Sequence, residues 1–181
     1  MKKTPFYAGL FAIVLVLTLA VFLPPAESQD KPFGGTADVE FAEKMWNGME
    51  DYTDWKMVSG YYPGQSPHGK VLRLYYNVVN VDGMPYHVIV KDNFGGEGIT
   101  VEKASMNPKD YLAAVTIMVQ REQGYDADNN NWFWAKYLPD GSLDKNAQDM
   151  MLAGRVAKGM NAGCIACHKK AGDNDYLFSN D

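Results

Sequence analysis

Cysteine and histidine are scarce in this chain, with two cysteines and three histidines in 181 residues. A framework of several disulfides is excluded. A zinc site built on the cysteine pair would need two further ligands, with few histidines to supply them. Positive charge is also short: 17 Lys and Arg stand against 22 Asp and Glu, a net charge of −5. No basic arm or patch points to nucleic acid as a partner. No internal repeat and no low-complexity tract interrupts the chain, whose length suits one domain with a modest core.

The two cysteines stand together in Gly163-Cys164-Ile165-Ala166-Cys167-His168. C-x-x-C-H is the attachment signature of c-type haem. Two thiols three positions apart add across the two vinyl groups of a haem as thioethers, and the adjacent histidine is placed under the iron as an axial nitrogen ligand. Cys164 and Cys167 are thus the expected anchors of one covalent haem c, and His168 the expected ligand of its iron. The rival is a redox-active dithiol, whose acidic cysteine opens a helix after a strand. Here no Trp or Pro flanks the pair, which lies near the C-terminus.

At the other end, Met1-Lys2-Lys3 precedes an apolar run over 6–23, and the chain turns polar from Pro24. This is a secretory signal pattern, long enough to span a bilayer if left uncleaved. Residues 1–28 read as a signal peptide or an N-terminal membrane anchor, with cleavage after Ser28 favoured. Residues 29–37 read as a Pro/Gly linker and 38–181 as one domain. The expected location is periplasmic or exported, with membrane contact only if the N-terminal segment stays attached. Covalent haem agrees, because c-type haem is attached outside the bacterial cytoplasm. Without Lys2, Lys3 and Glu27 the chain keeps 15 basic and 21 acidic residues.

Within the domain, Val39, Phe41, Ala42, Met45, Trp46 and Met49 recur at helical spacing after Asp38. A Pro/Gly-rich loop over 63–69 carries His68. Four strands are expected, over 71–76, 86–91, 111–119 and 132–137, with a turn at Asp82-Gly83 after the first. Alternation places His87, Ile89 and Lys91 on one face of the second strand, and Trp132 and Trp134 on one face of the fourth. A second helix over 147–158, with Met150, Met151, Ala153 and Val156 as its apolar members, is expected to deliver the chain to the cysteine motif. The fold class is α+β, mainly β: an antiparallel sheet of about four to five strands, flanking N- and C-terminal helices, and the motif near the C-terminus. An ordinary helical cytochrome c has the reverse order.

Several stretches in this order resemble the cytochrome P-460 family. They are Ser66-Pro67-His68-Gly69 leading into Leu72-Arg73-Leu74-Tyr75-Tyr76-Asn77, then Val88-Ile89-Val90-Lys91-Asp92-Asn93, then Ala114-Val115-Thr116-Ile117-Met118. Asn131-Trp132-Phe133-Trp134-Ala135-Lys136-Tyr137 follows, and the motif with Asp175-Tyr176-Leu177-Phe178 closes the series. The resemblance implies a strand lysine, here Lys91, bonded to the haem edge, and an arginine near the haem, here Arg73. It implies an iron held by His168, with its other face open to small nitrogen species. Family members include hydroxylamine-oxidising enzymes, and the related β-sheet cytochromes c-prime bind nitric oxide or carbon monoxide without the cross-link.

The expected partners are a small nitrogen substrate or ligand and a periplasmic electron acceptor such as another cytochrome, with a homodimer also left open. One departure stands out. The hydroxylamine-oxidising members use a distal carboxylate, expected here near Thr116, yet no Asp or Glu lies between Tyr111 and Gln120. Asp92, Glu97 and Glu122 are the candidates from elsewhere. An electron carrier would instead need His68, His87 or a methionine as sixth ligand.

Overall fold

The computed structural model describes residues 31–171 and 175–178. The expected signal or anchor segment over 1–28 lies outside the described residues. The chain opens with helix α1 (Thr36–Gly48), followed by two-residue strands β1 (Met57–Val58) and β2 (Tyr62–Pro63). Two long strands, β3 (Val71–Val81) and β4 (Met84–Phe94), form a hairpin. Short helices α2 (Val101–Met106) and α3 (Pro108–Tyr111) lead into β5 (Leu112–Gln120), β6 (Trp132–Tyr137) and β7 (Ala153–Gly154). Helix α4 (Cys164–His168) holds the motif. All seven strands join one antiparallel sheet in the order β1-β3-β4-β5-β6-β7, with β2 also on β3.

The hairpin between β3 and β4 has the expected chemistry. Val81 pairs with Met84, and Asp82 and Gly83 between them take φ of 52° and 81°. Positive φ at both central residues is the two-residue turn whose twist suits antiparallel strands. The four strands expected from the sequence are the four long ones. The three added strands are two residues each, too short to carry a periodic signal.

Period-two alternation gives the sheet two covered faces. On one, α1 and the residue that caps it lay Ala42, Met45 and Met49 against Tyr75, Val88, Val90, Val115, Phe133 and Tyr137. The Tyr137 hydroxyl donates to the Ala42 carbonyl at 2.8 Å and ties β6 to the helix. On the other face, Met118, Trp132 and Trp134 pack against Val156, Ile165 of α4, and Tyr176 beyond it. Phe33, in the stretch expected as a linker, is 2 % exposed and belongs to this second cluster.

The helix expected over 147–158 does not form. Asn146 Oδ1 accepts from the backbone N–H of Gln148 and Met150 at 2.9 and 3.0 Å, a local turn that competes with helix. Asp149 and Ala157 sit at φ of 60° and 64°, outside the right-handed helical region. The apolar residues that suggested one helical stripe are divided between two cores. Ala153 pairs with Ala135 and enters the α1 side, while Val156 enters the motif side.

Candidate functional site

Strand parity gathers Leu74 and Tyr76 of β3, Ile89, Lys91 and Asn93 of β4, Thr116 and Met118 of β5, and Trp134 and Lys136 of β6 on the motif side. In register, Leu74 faces Lys91, Lys91 faces Thr116, and Thr116 faces Lys136. Together with His68, Cys164, Cys167 and His168 they line a cavity of about 660 Å³. Cavities of roughly 300–1,000 Å³ accept a cofactor-sized ligand.

Helix α4 places Cys164 and Cys167 three residues apart, on one side of a turn, and both line the cavity. Gly163 opens the helix at φ 122°, where a Cβ would also collide with Ala157. Both thiols are free, and burial pushes the Cys164 thiol up to about 11. His168 is buried, and its Nδ1 donates to the Tyr176 carbonyl at 2.6 Å. That bond commits the proton to Nδ1 and leaves Nε2 as the nitrogen available to a metal. The His168 ring lies edge-on to Trp134, centroids 4.7 Å apart, and to Phe178 at 5.4 Å.

Lys91 enters the same cavity. Its ammonium donates to His68 Nε2 at 3.1 Å, and His68 Nδ1 donates in turn to Asn93 Oδ1 at 3.2 Å. Asn93 is oriented by its own amide donors, to the carbonyl of Lys91 at 2.8 Å and to Thr116 Oγ1 at 3.2 Å. The orientation turns its oxygen toward His68, so the neutral histidine carries its proton on Nδ1. Gly69 lets the loop approach this closely, since a Cβ there would meet the Phe94 backbone at 2.5–2.6 Å. Burial lowers Lys91 to about 8. Burial, and then the Lys91 charge, lower His68 to about 4.

Other expected site residues lie elsewhere. Arg73 stands on the α1 face, the opposite side of the sheet from Lys91. It packs over Tyr61, with its carbon 4.7 Å from the ring centroid, and donates to the Tyr61 hydroxyl at 3.1 Å. Strand parity decides this: Arg73 pairs with Asp92, while Leu74 pairs with Lys91. Asp92 is buried on that same face and accepts from Tyr52 at 2.7 Å and Tyr75 at 3.2 Å. Glu97, Glu122 and His87 are exposed and do not line the cavity. Among the described lining residues Asp175 is the one carboxylate. The sequence singles out Lys91 and His68 separately, but their pairing with each other and with Asn93, and the bond from His168 to the Tyr176 carbonyl, carry no local signal, because they join residues 23, 25 and 8 positions apart.

The donor set fits a haem c. Two thiols and a histidine with a free Nε2 sit on one short helix at the cavity wall. Trp134, 4 % exposed, also lines the cavity, and its buried indole N–H finds no acceptor among the described residues. A buried donor without a partner is costly, and is expected where a bound group completes it.

A model of the cytochrome P460 family matches residues 49–179. The match covers well over half of the chain, and the chain belongs to that family, which implies a haem c cytochrome. Searches of curated proteins and of solved structures each gave no significant match.

Proposed function

From that membership, we propose that the chain is an exported mono-haem c protein that oxidises hydroxylamine or a related small nitrogen compound. The observation that carries this reading is Lys91, held by His68 inside the cavity that also receives Cys164, Cys167 and His168. Cys164 and Cys167 would hold the haem as thioethers, and His168 would bind its iron through Nε2. When bound, the haem would supply the redox chemistry, with a periplasmic acceptor such as another cytochrome as the proposed destination of the electrons.

The chain's own residues do the rest. Leu74, Ile89, Met118 and Trp134 give the cavity apolar walls. Lys91 brings an amine whose charge is weakened by burial, so a neutral nitrogen is accessible near pH 8. Oxidising hydroxylamine removes protons along with electrons, and a proton acceptor must stand within hydrogen-bond reach. Asp175 is the carboxylate at the cavity wall.

A second reading, binding of nitric oxide or carbon monoxide without turnover, is favoured by one observation. Thr116 occupies the position where a distal base is expected, and Asp92, Glu97 and Glu122 are not at the cavity. Steady-state turnover of hydroxylamine by fully haem-loaded protein, with an artificial electron acceptor, separates the two. Turnover supports the first. No turnover, with a nitric oxide-induced spectral change in the ferrous protein, selects the second.

A further inference from the structure

The two segments that flank the motif converge on one buried polar turn. The turn is the short helix Ala127–Asn129 with Asp126 before it, and Asp126 and Asn129 are 2 % and 1 % exposed. Asn129 Nδ2 donates to Asp126 Oδ2 at 2.7 Å, and the backbone N–H groups of Asn129 and Asn131 donate to the Asp126 carbonyl at 2.9 and 2.8 Å. Upstream of the motif, the Lys158 ammonium pairs with Asp126. Downstream, the Tyr176 hydroxyl lies 3.2 Å from both Asn129 Oδ1 and the Asp128 carbonyl, and shares its proton between them.

Tyr176 pays conformationally for its place. Its φ is 67°, a left-handed conformation uncommon for a bulky residue. Such a conformation persists only where the surroundings over-determine it. Here the ring is buried in the motif-side cluster, the hydroxyl is held by the turn, and the preceding carbonyl of Asp175 accepts from Trp132 Nε1 at 3.0 Å. The result is a backbone carbonyl aimed at His168 Nδ1, 2.6 Å away. A buried carboxylate is costly unless paired, and the cation that pairs with Asp126 is the one that ties down the upstream flank.

We propose that Asp126 and Asn129 are positioning residues for the axial histidine. They form a buried pivot that clamps Lys158 on one side of the motif and Tyr176 on the other. The pivot thereby sets the ring orientation of His168 and the strength of its Nδ1–H bond. A firm bond to a carbonyl fixes the ring and makes the opposite nitrogen a stronger donor to iron. The inference rests on His168 as the iron ligand, the role proposed for it above.

The test uses proton NMR of the ferric holoprotein with cyanide, in which the unpaired electron displaces the ring protons of an iron-bound imidazole far outside the ordinary range. Tyr176→Phe removes the hydroxyl contacts and keeps the ring. Asn129→Ala removes one acceptor and the tie to Asp126. Tyr125→Phe is the control, since its buried hydroxyl has no partner among the described residues.

The expected result is displaced His168 ring resonances in Tyr176→Phe and Asn129→Ala, with Nδ1–H exchange roughly tenfold faster, the effect of losing about one hydrogen bond from a local opening equilibrium. Tyr125→Phe should match the wild type. Unchanged resonances and exchange in Tyr176→Phe would overturn the pivot, whether or not Asn129→Ala folds. Wild-type His168 protons without any displacement would overturn the axial role itself, and the pivot with it.

Discussion

The ammonium of Lys91 and Nε2 of His68 lie 3.1 Å apart inside the cavity that faces the cysteine motif. The contact joins the loop before β3 to the middle of β4, and Asn93 closes it from below through His68 Nδ1. Lys91 is therefore held at one place on the cavity wall. Replacing it with Ala is expected to move the Soret band of the dithionite-reduced protein to shorter wavelength. The mass of the haem-bearing peptides after proteolysis checks whether the wild-type lysine is bonded to the haem, since a bonded Lys91 joins its own peptide to that of the cysteine motif. An identical spectrum in Lys91→Ala would remove the lysine from the chemistry.

His68 predicts an acid limb in stability. Its folded pKa is lowered from 6.5 to about 4, first by burial and then by the Lys91 charge. Between those values the unfolded chain binds a proton that the folded chain does not, so stability rises with pH there. It is complete above about 6.5 and is lost as pH falls toward about 4. His68→Gln should flatten that limb by about 2 kcal/mol, a figure discounted for partial exposure. Denaturant unfolding of both proteins at pH 4.5 and 7 measures it, and parallel losses in the two would contradict it.

The cysteines give a mass prediction. Wild-type protein unfolded in acid should retain haem, and the double variant Cys164→Ser with Cys167→Ser, made in a Lys91→Ala background, should release it. Each single cysteine variant should retain it through the other thioether. Release from the wild type would return the motif to the dithiol reading.

Arg73 tests the placement of the sheet faces. Its guanidinium sits on the α1 side with Tyr61 and Tyr75. Arg73→Met is expected to leave the haem spectrum unchanged. It should cost about 1–2 kcal/mol of stability through the lost hydrogen bond and ring contacts. A shifted spectrum with unchanged stability would put the arginine at the haem instead.

Met45 is fully buried between α1 and the sheet. Met45→Ala should destabilise by about 2–5 kcal/mol, the usual range for a long core side chain cut to a methyl. The spectrum should stay unchanged, because the cavity lies on the other face.

Much of the candidate site is legible in the sequence. The cysteine–histidine chemistry is carried by a spacing of three and an adjacency, both local to one turn of chain. The strands 71–76 and 86–91 are legible because alternate residues share a face, the strand 132–137 because its aromatic run is bounded by turn residues, and Asp82-Gly83 marks its turn through backbone freedom. The same local logic misled over 147–158. Ala153 and Val156 sit at helical spacing yet serve opposite sides of the sheet, and spacing alone cannot tell one stripe from two cores.

What the sequence by itself determined is the chemistry of attachment and the alternation of the long strands, because both depend on neighbours within a few residues. Only the tertiary structure decided which face of each strand meets the motif. It thereby placed Lys91 at the cavity and Arg73 behind the sheet, although the two residues lie on paired strands. It also decided that His68 would hold Lys91, and that Asn129, 39 positions before His168 in the sequence, would hold the tyrosine whose carbonyl orients it. Those contacts exist only once the hairpins close, since a strand's own period distinguishes its two faces but does not say what will cover them.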